Sequence, residues 1–406
     1  MRRCLFLVPW ALAAVAIIPP ASASPTQGPA TDAAAAAGIS QITQSIGATV
    51  GDINGDGLPD MVLNRTFVAS ARVYINTGAG GFREIDANSF PVDDRHGCAM
   101  ADVNEDGLQD IYCTVGASHG TAVKSNELWI QQPDGTFVNE AATMGAIDPY
   151  GRSRAAVFFD ANGDGWPDLF VANYYPRPDG LPTPNRLFIN QDGTGFVDAP
   201  EFGLDQQVGG LALAPGCAQA ADYDGDGYPD LLVCGAGGIH VYHNNADEGF
   251  TETTSQLGLS GVWLDATFAD MNNDGRLDLV MIKKGVLQVR LQQSDGRFNV
   301  VSISRKLSEG RALAVGDINA DSYLDIYALQ GASGPSGTPN PPDIMYRNVG
   351  GTNLETVTIP ETSAGNGASV SEIDYNHDGI ADFIVTNGAR KLKGPVQLIT
   401  FPPPGP

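Results

Sequence analysis

A nine-residue acidic pattern recurring seven times, apolar runs flanking every copy, and a composition rich in turn formers predict an all-β chain. The expected architecture is a seven-bladed β-propeller of four-stranded blades. First-Asp spacings of 50, 58, 62, 48, 47 and 57 residues match one blade each. The 49 Gly and 27 Pro among 406 residues favour turns over helices, and 42% hydrophobic residues supply a core.

In chain order, residues 1–23 read as a secretory signal: Arg2 and Arg3, a largely apolar stretch, then the small residues Ala21, Ser22 and Ala23. Residues 24–38, rich in Ala, Pro and Gly, read as a flexible lead-in, and 39–406 as the propeller. In the third unit, 155–159 enters the acidic loop and 169–172 leaves it. A third strand at 187–189, a turn at Asp192 and Gly193, and a fourth strand from Phe196 follow. The second unit repeats this with 128–130, Asp134, Gly135 and Phe137. The seventh unit lacks a fourth strand, and 39–46 is expected to supply it and lock the ring. No later segment reaches the ~18 apolar residues of a membrane span, so an exported, monomeric protein without membrane insertion is expected, periplasmic or extracellular.

The acidic loops carry the chemistry. Their oxygen donors at positions 1, 3, 5 and 9 are Asp52, Asn54, Asp56 and Asp60, then Asp102, Asn104, Asp106 and Asp110. The third and fourth loops offer Asp160, Asn162, Asp164 and Asp168, then Asp222, Asp224, Asp226 and Asp230. The fifth offers Asp270, Asn272, Asp274 and Asp278, and the sixth Asp317, Asn319, Asp321 and Asp325. The seventh offers Asp374, Asn376, Asp378 and Asp382. Alternate side chains turn toward one centre, and an all-oxygen carboxylate set selects Ca²⁺ over softer metals, up to seven ions in all. A strand follows each loop and no carboxylate stands at position 12, which excludes an EF-hand. The donor positions of these loops hold 22 of the 47 acidic residues, which repel one another unless a cation is bound. Loop six departs from the pattern, with Ala320 and Ser322 where glycines are usual. A formal charge of −24 argues against nucleic-acid and anionic-membrane partners.

These loops resemble the FG-GAP or VCBS-type repeat, similar to the propeller of integrin α subunits. The run at 128–137 looks most like the bacterial and cartilage-acidic-protein branch. The resemblance covers about 39–400 and implies Ca²⁺ in the hairpins between the first two strands of each blade. It implies no single function, since members include adhesion proteins, lectins and non-catalytic parts of enzymes.

The leading functional reading is a glycan- or surface-protein-binding module. The alternatives are a polysaccharide lyase or hydrolase, or a structural envelope component. No catalytic residue is assigned, because the five histidines show neither nucleophile nor metal-ligand spacing and no GxSxG or HExxH occurs. Register about loops two and four predicts the disulfides Cys98–Cys113 and Cys217–Cys234. Aligned on their first Asp, the units place His96, Arg154 and Arg311 where the innermost strands begin, with Arg95 and Trp263 one residue earlier. This cluster predicts a mouth, opposite the calcium loops, that favours an acidic glycan. Tyr174 and Tyr175, in the aromatic-rich inserted loop of the third unit, are a second candidate sugar platform.

Overall fold

The computed structural model describes residues 27–405 apart from 66–69, 86–89, 117–123, 174–182, 206–216, 236–237, 299, 332–339, 361–365 and 389–392. The chain is an all-β, seven-bladed propeller of antiparallel four-stranded sheets. In blades 1–6 the strands run from the axis outward in chain order. The inner strands are Ser45–Gly51, Arg95–Ala101, Ser153–Phe159, Cys217–Ala221, Asp265–Ala269, Gly310–Gly316 and Ser369–Ile373. They are built from small residues because seven of them crowd one axis. At Gly97 an added Cβ would lie 3.0 Å from the Arg154 carbonyl of the next blade.

The second strands, such as Asp60–Arg65 and Asp168–Asn173, are buried along their whole length. Each is covered by a neighbouring blade on both faces, which is why it reads as an unbroken apolar run. Seven apolar clusters fill the seven joints, including Met61, Leu63, Ile384 and Leu398 between blades 7 and 1. Each of these side chains is worth about 1.5–3 kcal/mol when fully buried.

Ring closure is more extensive than expected. Ile42–Thr43 pairs with the last strand, Gly394–Thr400, as the segment 39–46 should. Thr31–Asp32 pairs with the same strand as well, so the outer position of blade 7 is filled twice by N-terminal chain. The segment read as a flexible lead-in is therefore packed from residue 27 onward, with Ala34 and Ala37 buried. Composition misled here because alanines that look like linker are the residues small enough to fit under blade 1. The signal segment lies outside the described residues.

Both disulfides form as the register requires. Cys98 faces Cys113 and Cys217 faces Cys234 across the first two strands of blades 2 and 4, with Cα atoms 4.1 and 4.9 Å apart. Among the described residues, no helix is long and apolar enough to cross a membrane.

Candidate functional site

All seven acidic loops share one hydrogen-bond scheme. The position 1 carboxylate accepts the N–H groups of positions 5 and 6, as Asp52 does from Asp56 and Gly57 at 3.1 and 2.8 Å. The position 5 carboxylate accepts the N–H of position 7, as Asp56 does from Leu58. Positions 4 and 6 adopt positive φ, which is why glycine recurs there. Loop six keeps the scheme, with Ser322 N–H on Asp317 at 2.8 Å, although Ala320 and Ser322 sit at φ 57° and 69°.

The position 9 aspartates are fully buried. Asp60 accepts from Ile53 N–H at the loop's start and from Asn76 N–H at the end of the third strand. Burial, opposed by these bonds, raises its carboxyl to about 6, and raises Asp110 and Asp325 to about 7 and Asp382 to about 8. Position 9 thus serves as the peg joining loop to sheet.

The donor set fits a hard divalent cation. Positions 1, 3 and 5 keep oxygen lone pairs beyond those used in the loop. In loop four, oxygens of Asp222, Asp224 and Asp226 lie within 4.8 Å of one another. In blade 7 the buried Asp382 Oδ2 has no hydrogen-bond partner. In loop five the Arg276 guanidinium pairs with Asp274, a competing internal cation.

A set of residues that the sequence reading missed ties these loops around the ring. The amide closing each third strand donates to the position 2 carbonyl of the preceding blade's loop. Asn76 donates to Tyr375, Asn190 to Val103, Asn244 to Ala161, Gln292 to Tyr223 and Asn348 to Met271, at 2.7–3.0 Å. Gln131 reaches the Ile53 carbonyl in the same way. Their signal was available: Asn or Gln always stands six residues before Phe82, Phe137, Phe196, Phe250, Phe298 or Leu354. Blade 7 has Phe401 instead, and its joint is served by Gln27, whose amide donates to the Ile318 carbonyl.

The opposite end of the channel differs from expectation. A cavity of roughly 380 Å³ on the axis is lined there by His96, Arg154, Asn64, Gln219, Thr267 and Asp265, among others. Bulges interrupt the inner strands of blades 1, 2, 3 and 6 where they begin, and each of Ile46, Arg154 and Arg311 is an extra, unmatched residue. A bulge re-aims side chains, so simple alternation fails there.

Arg154 reaches the cavity wall, with Nη1 on the Ser153 carbonyl at 2.9 Å. His96 also lines it, but burial and the Arg154 charge lower its pKa to about 4, so it adds no positive charge at neutral pH. Arg95 is fully buried, gripping Glu127 with two bonds of 2.6 and 2.8 Å and the Pro91 carbonyl with a third. Arg311 is buried against Gly331 and does not line the cavity. Trp263 is buried too; its indole N–H donates to the Ser260 carbonyl, and Lys283 Nζ sits 4.1 Å from its ring. The predicted basic rim therefore reduces to Arg154, because burial turned the other cations inward. Asp265, on the same wall, is raised to about 7 by burial. Tyr174 and Tyr175 lie outside the described residues.

Seven blades, each with an oxygen-donor turn on one end of the ring, define an acidic-loop propeller. The model of the FG-GAP-like repeat matches residues 52–113, 114–171, 160–233, 222–281 and 270–328, and the chain belongs to that family. Cartilage acidic protein 1 of Xenopus tropicalis is 25% identical over 329 residues, covering 72% of this chain and 48% of the relative. Integrin alpha-3 of Cricetulus griseus is 31% identical over 101 residues, 23% of this chain and 9% of the integrin. The chain thus spans about half the length of the first relative and a small part of the second. The crystal structure of BBS1N in complex with ARL6DN superposes with a TM-score of 0.50 at 11% identity, over 90% of this chain and 94% of that one, a likeness of fold alone.

Proposed function

We propose that this chain is an exported, calcium-loaded binding propeller that engages a protein or glycan surface at the end of the ring opposite its acidic loops. The observation that carries the reading is the sevenfold donor set, in which a half-buried position 1 carboxylate and an exposed position 5 carboxylate stand over a fully buried one at position 9. Bound Ca²⁺ would supply the positive charge that these carboxylates lack, and the chain's own N–H groups and amide clasps orient them. Two disulfides and kinship with integrin alpha-3 and cartilage acidic protein 1 support export and a binding role. The axial cavity, walled by Arg154, by the Asp265 carboxyl and by amide and hydroxyl groups, supports a small polar feature of the ligand as the part recognised there.

The test is binding of the calcium-loaded protein to arrayed acidic and neutral oligosaccharides and to extracellular-matrix proteins, with and without chelator. Calcium-dependent binding that weakens for acidic ligands in Arg154→Ala is expected. Binding that ignores calcium, or turnover of an oligosaccharide, would overturn the reading.

A further inference from the structure

Blade 4 departs from the other six at two places that meet in space. At position 3 its loop carries Asp224 where every other loop has Asn. In those six loops the asparagine amide donates to the position 5 carboxylate at 2.9–3.0 Å, so the turn partly neutralises itself. Blade 4 has lost that donor and gained a carboxylate. The second departure is on the third strand, Gly238–Asn244. The residue before each strand-closing position is Ile75, Ile130, Ile189, Leu291, Arg347 or Thr400 elsewhere. Here it is His243. Its Nδ1 lies 3.2 Å from an Asp224 oxygen and 3.1 Å from Asp230 Oδ1, and its Nε2 is 3.9 Å from Asp226.

Two changes that bring an imidazole nitrogen and a fourth carboxylate into one cage alter what the cage prefers. Calcium takes oxygen ligands, whereas imidazole suits zinc and its first-row neighbours. Donors bound at ~2.0–2.2 Å to such an ion stand about 3.0–3.5 Å apart, which is the spacing His243 already keeps from both carboxylates. One ligand atom each from Asp224, Asp230 and His243 falls within 4.8 Å of the other two, the donor count of an open zinc site. Sequence spacing hid this, because His243 is 13 residues from Asp230, on the strand that pairs with the one Asp230 begins.

Resting on the reading that the acidic loops hold metal, we infer that blade 4 selects a first-row transition-metal ion of the zinc class, ligated by His243 with Asp224 and Asp230, while the all-oxygen loops select calcium. The experiment is equilibrium dialysis of untagged, chelator-stripped, full-length protein against Zn²⁺ in millimolar Ca²⁺, repeated with Co²⁺ to read its absorption bands. One Zn²⁺ per chain retained against Ca²⁺ is expected, with a Co²⁺ spectrum showing nitrogen ligation. His243→Ile installs the residue of blades 1–3, and Asp224→Asn restores the common loop. Each should weaken Zn²⁺ binding by at least the ~10–100-fold typical of losing even an outer partner. His377→Gly, at another loop histidine, should change nothing. Equal Zn²⁺ affinity in wild type and His243→Ile would overturn the inference, and show that His243 is only a counter-ion to the acids. Calcium-dependent melting of the same zinc-loaded samples separates the two readings. A missing calcium shift with zinc still bound ends the calcium reading alone.

Discussion

At one end of the ring, seven copies of a nine-residue turn repeat the same hydrogen bonds, including in loop six where two glycines are missing. At the other end, the seven strand starts carry unlike residues, and their side chains go to unlike places: Arg154 to the cavity, Arg95 into a buried ion pair, Arg311 against Gly331. The loop end is made by contacts within nine residues, plus one backbone N–H from the same blade's outer strands and one amide from the next blade. The mouth depends on bulges and on which neighbour happens to offer a partner. Repetition in sequence therefore transmits to structure where the interactions are local or where the residue that crosses to the next blade is itself repeated, as the clasp amides are. It is lost at the mouth, where bulges and unlike neighbours choose the partners.

The largest way to break this contrast is to remove calcium. A ligand at a hundredfold excess over Kd stabilises by about 2.7 kcal/mol per site. Calorimetric melting in excess chelator should therefore show a large fall in Tm, because up to seven sites are emptied together, whereas stripping a ligand from the mouth removes the contribution of one site. An unchanged melt would remove calcium from the loop end.

The clasps rank next. Asn190→Leu or Asn244→Leu leaves two carbonyls without their donor, at about 1–3 kcal/mol, measured by urea unfolding. Gln27→Ala should cost less, about 0.5–1.5 kcal/mol, because its amide is only half-buried. Equal costs would mean that the N-terminal clasp is as integral as the six within the blades.

A pH scan probes the mouth. The Asp265 carboxyl is held at about 7 in the fold against about 3.9 in the unfolded chain, so the folded state binds its proton more tightly. Its penalty is absent below pH 4, grows between pH 4 and 7, and is complete above 7. Asp265→Asn should match wild type at pH 4 and exceed it at pH 8, by on the order of 1–2 kcal/mol once partial exposure is discounted. Parallel stability curves would show that the carboxyl is fully solvated.

The smallest effect sharpens the loop end. Ser322→Gly and Ala320→Gly relieve left-handed backbone and should each stabilise by about 1 kcal/mol. Loop six should also be the first site emptied in a calcium titration of wild type, and the last difference to vanish in the double glycine variant.

Much of the candidate site was legible in the residues themselves. Asp52 to Asp60 and its six repeats announce an oxygen cage because the spacing of donors along a tight turn is set by covalent geometry. The cysteine pairs were legible for a similar reason, since two antiparallel strands about a turn of known length have one register. Arg95 and Arg311 were misplaced because a bulge re-aims the residues where their strands begin, and Trp263 because it lies ahead of the inner strand of blade 5, bridged to Gly235 of blade 4. His243 was passed over because a ligand from a neighbouring strand leaves no fixed spacing to find.

By itself, the sequence determined the number of blades, the order of strands, the turns that carry the acidic donors and both disulfides. Each of these follows from local periodicity and from the pairing of strands adjacent in the chain. The closing segment around Ile42–Thr43 was also legible, but tertiary structure alone decided that Gln27 and Thr31–Asp32 join it at the ring closure. It also decided which cations remain at the mouth and which loop acquires an imidazole. Those outcomes depend on groups separated by tens to hundreds of residues, whose meeting is governed by packing around a common axis.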